Sequence, residues 1–167
     1  MINRIEMMRD PRGWIATGLG SGLAPVAPGT FGTFAALPLC WALGFYLPLW
    51  GYLLATASIF CIGWWAAAWV VRTYKVQDPG VIVIDEWAGM AITWLPVAYW
   101  PHAQNFWLAL AAAFLSFRAT DIVKPWPASW ADTQLHGGFG AMLDDALAGC
   151  WSAALMLLLL WLGVFAT

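Results

Sequence analysis

The chain contains three long stretches without one Asp, Glu, Lys or Arg: Gly13 to Val71, Trp87 to Phe117, and everything after Asp145. A membrane-crossing helix needs about 20 consecutive apolar residues. A water-soluble domain has no use for runs this long, because its helices turn one charged face to solvent. Composition agrees, with 62% hydrophobic and 10% charged residues against about 45–50% and about 25% in soluble domains. The expected class is therefore an all-α, polytopic integral membrane helical bundle.

The 41 residues from Phe31 to Val71 hold two spans as a hairpin turning near Pro48 to Gly51. Val81 to Trp100, Ala103 to Val123 and Ala146 to Ala166 supply three more. This gives about five spanning helices, four and six being the alternatives, in a single membrane-embedded domain over residues 1–167. Arg4, Arg9 and Arg12 precede an apolar stretch as in a secretory signal. Glycines and prolines interrupt that stretch, however, and the first A-x-A, Ala55 to Ala57, lies too deep for cleavage. Cys40, Cys61 and Cys150 lie in apolar runs without metal-ligand spacing and read as packing residues.

Lys and Arg in short loops mark the cytoplasmic side. The N-terminal arginines, then Arg72 and Lys75, then Arg118 and Lys124, all reach that side if the spans alternate as counted. "YWPHAQN" turns on the outer side, and His102 is discounted there. Every formal charge then lies at or near one interface, an arrangement that points to a site.

Two acidic doublets, Asp85–Glu86 and Asp144–Asp145, carry that site. An Asp at a bilayer centre costs about 2.5 to 3.5 kcal/mol on insertion scales, so both doublets are expected close to the interface. Asp144 and Asp145 are expected at the N-terminal end of the last helix, where the helix dipole accounts for one carboxylate but not two. Clustered like charges call for an oxygen-seeking divalent cation, and Mg²⁺ takes one or two carboxylates plus water and substrate phosphate. Arg118, Asp121 and Lys124 follow at three-residue steps along one helix face. Arg118 and Lys124 suit a phosphate, and Asp121 is either a further metal ligand or a support for Arg118. His136 in "LHGGFG" is a candidate phosphate contact or proton donor.

The segment Gly18 to Thr30, "GLGSGLAPVAPGT", is unsuited to a lipid-facing helix. It is expected as a re-entrant or loop segment beside the carboxylates, with Ser21, Thr30 and free backbone N–H groups contacting a headgroup phosphate. Its G-x-G-x-G spacing matches neither nucleotide-binding pattern, and nothing points to nucleic acid or a nucleotide cofactor. A Cys-x5-Arg thiolate site and a D-x-D motif are both absent, and Cys and His are not clustered for zinc. The remaining chemistry is phosphoryl transfer on a lipid headgroup. An ion- or proton-coupled transporter using the interfacial carboxylates is the alternative.

Four segments in order, "ATGLGSGLAPVAPGTFGT", "VIDEWAGM", "FRATDIVKPWPASWAD" and "HGGFGAMLDDALAG", resemble the phosphatidylglycerophosphatase A family of bacterial inner-membrane lipid phosphatases. The resemblance implies Mg²⁺-dependent hydrolysis of phosphatidylglycerophosphate, a phospholipid substrate, to phosphatidylglycerol and phosphate; the placement of Lys and Arg puts the expected active site on the cytoplasmic side. It implies catalytic and metal-binding roles among Asp85, Glu86, Asp144 and Asp145, with Arg118, Asp121 and Lys124 from the third segment.

Overall fold

Backbone N–H and C=O groups in an apolar medium must find partners within their own segment, and this chain meets that demand with helices alone. The computed structural model describes residues 3–76, 79–100 and 105–166, among which there is no strand. The short helices α1 (Arg4–Met7) and α2 (Pro11–Ala16) come first, followed by a 3₁₀ turn at Ser21–Leu23. The long helices are α3 (Pro28–Tyr46), α4 (Leu49–Tyr74), α5 (Ile84–Tyr99), α6 (Phe106–Val123) and α8 (Gly137–Trp161), with the short α7 (Ala128–Gln134) before the last.

Of these, α4, α6 and α8 are long and apolar enough to cross a membrane. α5 has 16 residues, short of the usual span, and α3 has 19 but includes glycines and an internal proline, Pro38. The expected hairpin is present, its bend at Leu47 and Pro48 fixed by the Tyr99 hydroxyl, which donates to the Leu47 carbonyl at 2.8 Å. Residues 101–104 of the expected outer turn, His102 among them, lie outside the described residues. Cys40 is buried, Cys61 and Cys150 are exposed, and all three are free.

The last helix corrects one expectation. It starts at Gly137, about two turns before Asp144 and Asp145 rather than at them, so the glycines of "HGGFG" belong to the helix. Their role is close approach: a side chain at Gly138 would strike the backbone of Ala68, and one at Gly140 the carbonyl of Leu135. Asp144 and Asp145 are consequently the eighth and ninth residues of α8, about 11 Å along it at 1.5 Å per residue. Helix capping accounts for neither.

The glycine-proline stretch forms a turn after α2, with Gly18, Leu19 and Gly20 all at positive φ. It clasps the segment leading into α5. The Val83 N–H donates to the Ala16 carbonyl at 2.9 Å, and Gly22 lies against the Val81 carbonyl with no room for a side chain.

α5 and α8 make the most extensive contact in the bundle. They meet backbone to backbone, since a side chain at Gly149 would enter the Gly89 main chain and one at Gly89 would strike Phe117 and the Asp145 carbonyl. Small residues permit such an approach. Gly149→Val is expected to lower stability by about 3 kcal/mol through overpacking, read as a fall in Tm of several degrees in detergent. An unchanged Tm would mean that the two helices can separate freely.

Candidate active site

The two helices that meet at Gly89 and Gly149 each carry an aspartate four residues earlier, Asp85 and Asp145. Residues i and i+4 share a helix face, so each aspartate lies on the contacting face one turn from the crossing, and the two meet there. Carboxylate oxygens of Asp85, Glu86 and Asp145 lie within 4.8 Å of one another, and all three residues are buried, at 6–8% exposure. Acids this buried are rare unless paired or bound to a cation. Asp85 sits in the first turn of α5 and accepts the Glu86 N–H at 3.0 Å, so free helix-terminal N–H groups help to carry its charge. Asp121 and Asp144 both lie within interaction range of Asp145.

The cations approach from α6. Arg118 pairs with Asp121 at 2.8 Å, reaches Glu86 at 3.7 Å, and donates to the Thr33 hydroxyl on α3 at 3.4 Å. Its Nε and the second oxygen of Glu86, Oε2, are buried without a hydrogen-bond partner among the described residues. α6 ends at Val123, as the Lys124–Pro125 pair predicts, and Lys124 takes a left-handed conformation with φ 48 that turns the chain into α7. That turn brings Asp132 back, and Lys124 Nζ lies 2.6 Å from both Asp132 and Asp144. Burial opposes the Lys124 charge, but the hydrogen bonds to Asp132 and Asp144 outweigh it and hold the ammonium above the usual lysine range. His136, at the N-cap of α8, lines a cleft of about 200 Å³ with Asp132 and Asp144.

Seven candidates therefore gather at one end of the bundle: Asp85, Glu86 and Asp145 as a triad, Arg118 with Asp121 on one flank, and Lys124 with Asp144 on the other. The glycine-proline segment joins this group at Gly29, and Gly32 just after it does the same. Gly29 and Gly32, on the first turns of α3, lie so close to the Glu86 carboxylate that a side chain at either would strike it, and Gly29 also faces the Arg118 guanidinium. Ser21 is occupied within its own turn, donating to the Gly18 carbonyl at 2.8 Å. Thr30 is half-buried and has no side-chain hydrogen bond among the described residues. Sequence reasoning missed Thr33 and Asp132. A threonine one helical turn after Gly29, and an acid eight residues after a Lys-Pro turn, were the signals available.

The donor set is oxygen only, which suits a hard divalent cation such as Mg²⁺ over zinc or copper. The unpartnered Glu86 oxygen beside two further buried carboxylates fits such an ion.

Residues 14–160 match the family model described as Phosphatidylglycerophosphatase A. The chain belongs to that family. It is 41% identical to Phosphatidylglycerophosphatase A of Escherichia coli (strain K12), over 89% of this chain and 83% of the relative. It is 36% identical to the Haemophilus influenzae protein of the same name, over 90% and 89%. A Bacteroides thetaiotaomicron relative, provisionally named a phosphatidylinositol-3-phosphatase, is 36% identical over 88% and 92%. No solved structure gives a significant match. Membership of this family makes the chain a phosphatase, and the transport alternative finds no support.

Proposed function

We propose that the protein hydrolyses the terminal phosphomonoester of phosphatidylglycerophosphate, giving phosphatidylglycerol and inorganic phosphate, in a Mg²⁺-dependent step of glycerophospholipid biosynthesis. The proposed setting is the bacterial inner membrane, with α3, α4, α5, α6 and α8 embedded and the charged end of the bundle facing the cytoplasm. The observation that carries this reading is the buried Asp85–Glu86–Asp145 triad with Arg118 beside it, in a chain of this family.

Mg²⁺ held by the triad, with Asp121 and Asp144 within reach, would supply positive charge at the phosphoryl oxygens. Arg118 grips the phosphate through its planar fork, and Lys124 adds a second charge while holding Asp144 in place. A carboxylate of the cluster orients the attacking water and accepts its proton, and His136 donates one to the departing glycerol oxygen. Gly29 with its N–H, and Gly32, form the uncharged wall, with Thr30 facing the headgroup; the Thr30 and Phe31 N–H groups are taken by the Ala27 carbonyl.

Phosphate release by purified protein in detergent tests the reading. Release from phosphatidylglycerophosphate that stops with chelator and returns with Mg²⁺ is expected. A parallel arm with phosphatidylinositol 3-phosphate, the substrate class named for the Bacteroides relative, should run at least tenfold slower. Phosphate release undiminished by chelator would remove the metal from the scheme, and a preference for the inositol lipid would overturn the substrate.

Gly29→Ala checks the wall. Alanine normally favours a helix, so stability should hold, but its methyl displaces the Glu86 carboxylate and Arg118. Turnover is expected to fall at least tenfold with Tm within a few degrees of wild type. Unaltered turnover would detach this wall from the site.

A further inference from the structure

α3 and α6 touch at two levels and part between them. Near the charged end, Phe34 meets Phe114 edge to face with ring centroids 6.4 Å apart, and further down Trp41 meets Phe106 in the same manner at 6.4 Å. Between these contacts lies a cleft of about 950 Å³, bordered by Leu37 and Pro38 on one helix and Leu110 and Ala111 on the other. Every lining side chain is apolar or aromatic. Pro38 has no N–H to offer the Phe34 carbonyl, so α3 lacks one ladder bond where it borders the cleft. Ala111 is among the smallest side chains available and leaves space on the α6 side of the cleft.

Much of the bundle surface is apolar, and exposure alone would not distinguish this cleft. Its position does. Phe34 follows Thr33, the residue that receives the Arg118 hydrogen bond, and Phe114 precedes Arg118 by one helical turn, about 6 Å. Phe106 lies about 18 Å below Arg118 along α6. The hydrocarbon of one leaflet is about 15 Å deep, half of a core of about 30 Å. The cleft therefore begins directly beneath the guanidinium and ends near the bilayer midplane when the charged residues sit at the interface.

We propose that this α3–α6 cleft seats one acyl chain of the lipid substrate while the phosphate occupies the site at Arg118. The inference rests on the lipid phosphatase reading and adds a chain-binding subsite to it. The cleft fixes how far the headgroup can rise or sink, and so aligns the phosphate with Arg118 and the carboxylate triad. A substrate without long chains forgoes this alignment.

The test compares a long-chain diacyl lipid phosphate in mixed micelles with a dihexanoyl analogue of the same headgroup in monomeric solution. Ala111→Trp fills the cleft on a lipid-facing position, and Leu115→Trp, also exposed on α6 but outside the cleft, adds the same bulk elsewhere. Ala111→Trp is expected to raise KM for the long-chain substrate about tenfold and to leave the dihexanoyl KM within twofold, while Leu115→Trp changes neither. Wild-type protein photolabelled with a long-chain lipid phosphate bearing a mid-chain diazirine should be modified on Pro38, Leu110 or Ala111. The proposal falls if Ala111→Trp affects both substrates alike or neither, or if the label lands outside α3 and α6. It also falls if Ala111→Trp changes the oligomeric state without chain-length dependence, which would make the cleft a seam between copies. Wild-type protein that releases no phosphate from either substrate would instead overturn the phosphatase reading, and the photolabel would still report on the cleft.

Discussion

Asp85→Asn and Asp145→Asn are each expected to reduce phosphate release by about a thousandfold, while the protein remains folded. Losing one well-placed electrostatic group in a desolvated site costs about a hundred- to a thousandfold in turnover, and here the group also holds the metal. The stability signature runs in the opposite direction. Asp85, Glu86 and Asp145 have oxygens within 4.8 Å of one another, so without a divalent cation the triad is repulsive and an Asn relieves it. In chelator, each variant should match or exceed the wild-type Tm. Mg²⁺ should then raise the wild-type Tm, by the equivalent of about 2.7 kcal/mol at a hundredfold excess over Kd, and barely move that of the variants. Thermal shifts with and without Mg²⁺ measure this directly. A folded Asp85→Asn or Asp145→Asn protein with near-wild-type turnover would end the assignment.

The second large effect is at Arg118, where charge alone should not suffice. Arg118→Lys keeps the positive charge but loses the planar guanidinium, whose Nη1 alone serves Asp121, Glu86 and Thr33; an ammonium cannot offer a phosphate the same bidentate fork. It is expected to lower kcat/KM about a hundredfold or more with modest loss of stability. Arg118→Ala also leaves Glu86 and Asp121 without their cation, and removing one partner of a buried pair costs about 3–5 kcal/mol. The alanine variant should therefore be both inactive and less stable, and the lysine variant chiefly inactive. Comparable activity in Arg118→Lys and wild type would reduce Arg118 to a counter-charge.

The positions of the helices were readable where chemistry forces a boundary. Lys124 before Pro125 ends α6 at Val123, and Pro48 bends the first hairpin. The start of α8 was misread because glycine weakens an isolated helix, whereas here Gly138 and Gly140 are needed by neighbouring backbone that a sequence does not display. The composition of the site was readable from acids and bases in apolar surroundings. Its grouping was less so: Asp145 joins Asp85 and Glu86, and Asp144 turns to Lys124, because two residues 100° apart on one helix face different neighbours. Ser21 read as a phosphate contact, yet its hydroxyl is consumed by the local turn. Thr33 was overlooked because nothing in a string of letters says that Arg118 arrives beside it.

The crossing of α5 and α8 also explains a pattern easily passed over. Residues 85–89 read "DEWAG" and residues 145–149 read "DALAG", the same D-x-x-A-G phrase on two helices. Because the contact is main chain against main chain, the distance between the two aspartates does not depend on how larger side chains settle. When the surrounding bilayer thins or thickens, the helices can tilt about Gly89 and Gly149 as about a pivot. Atoms near a pivot move least, so the carboxylates would keep their spacing while the far ends of the bundle adjust to the lipid.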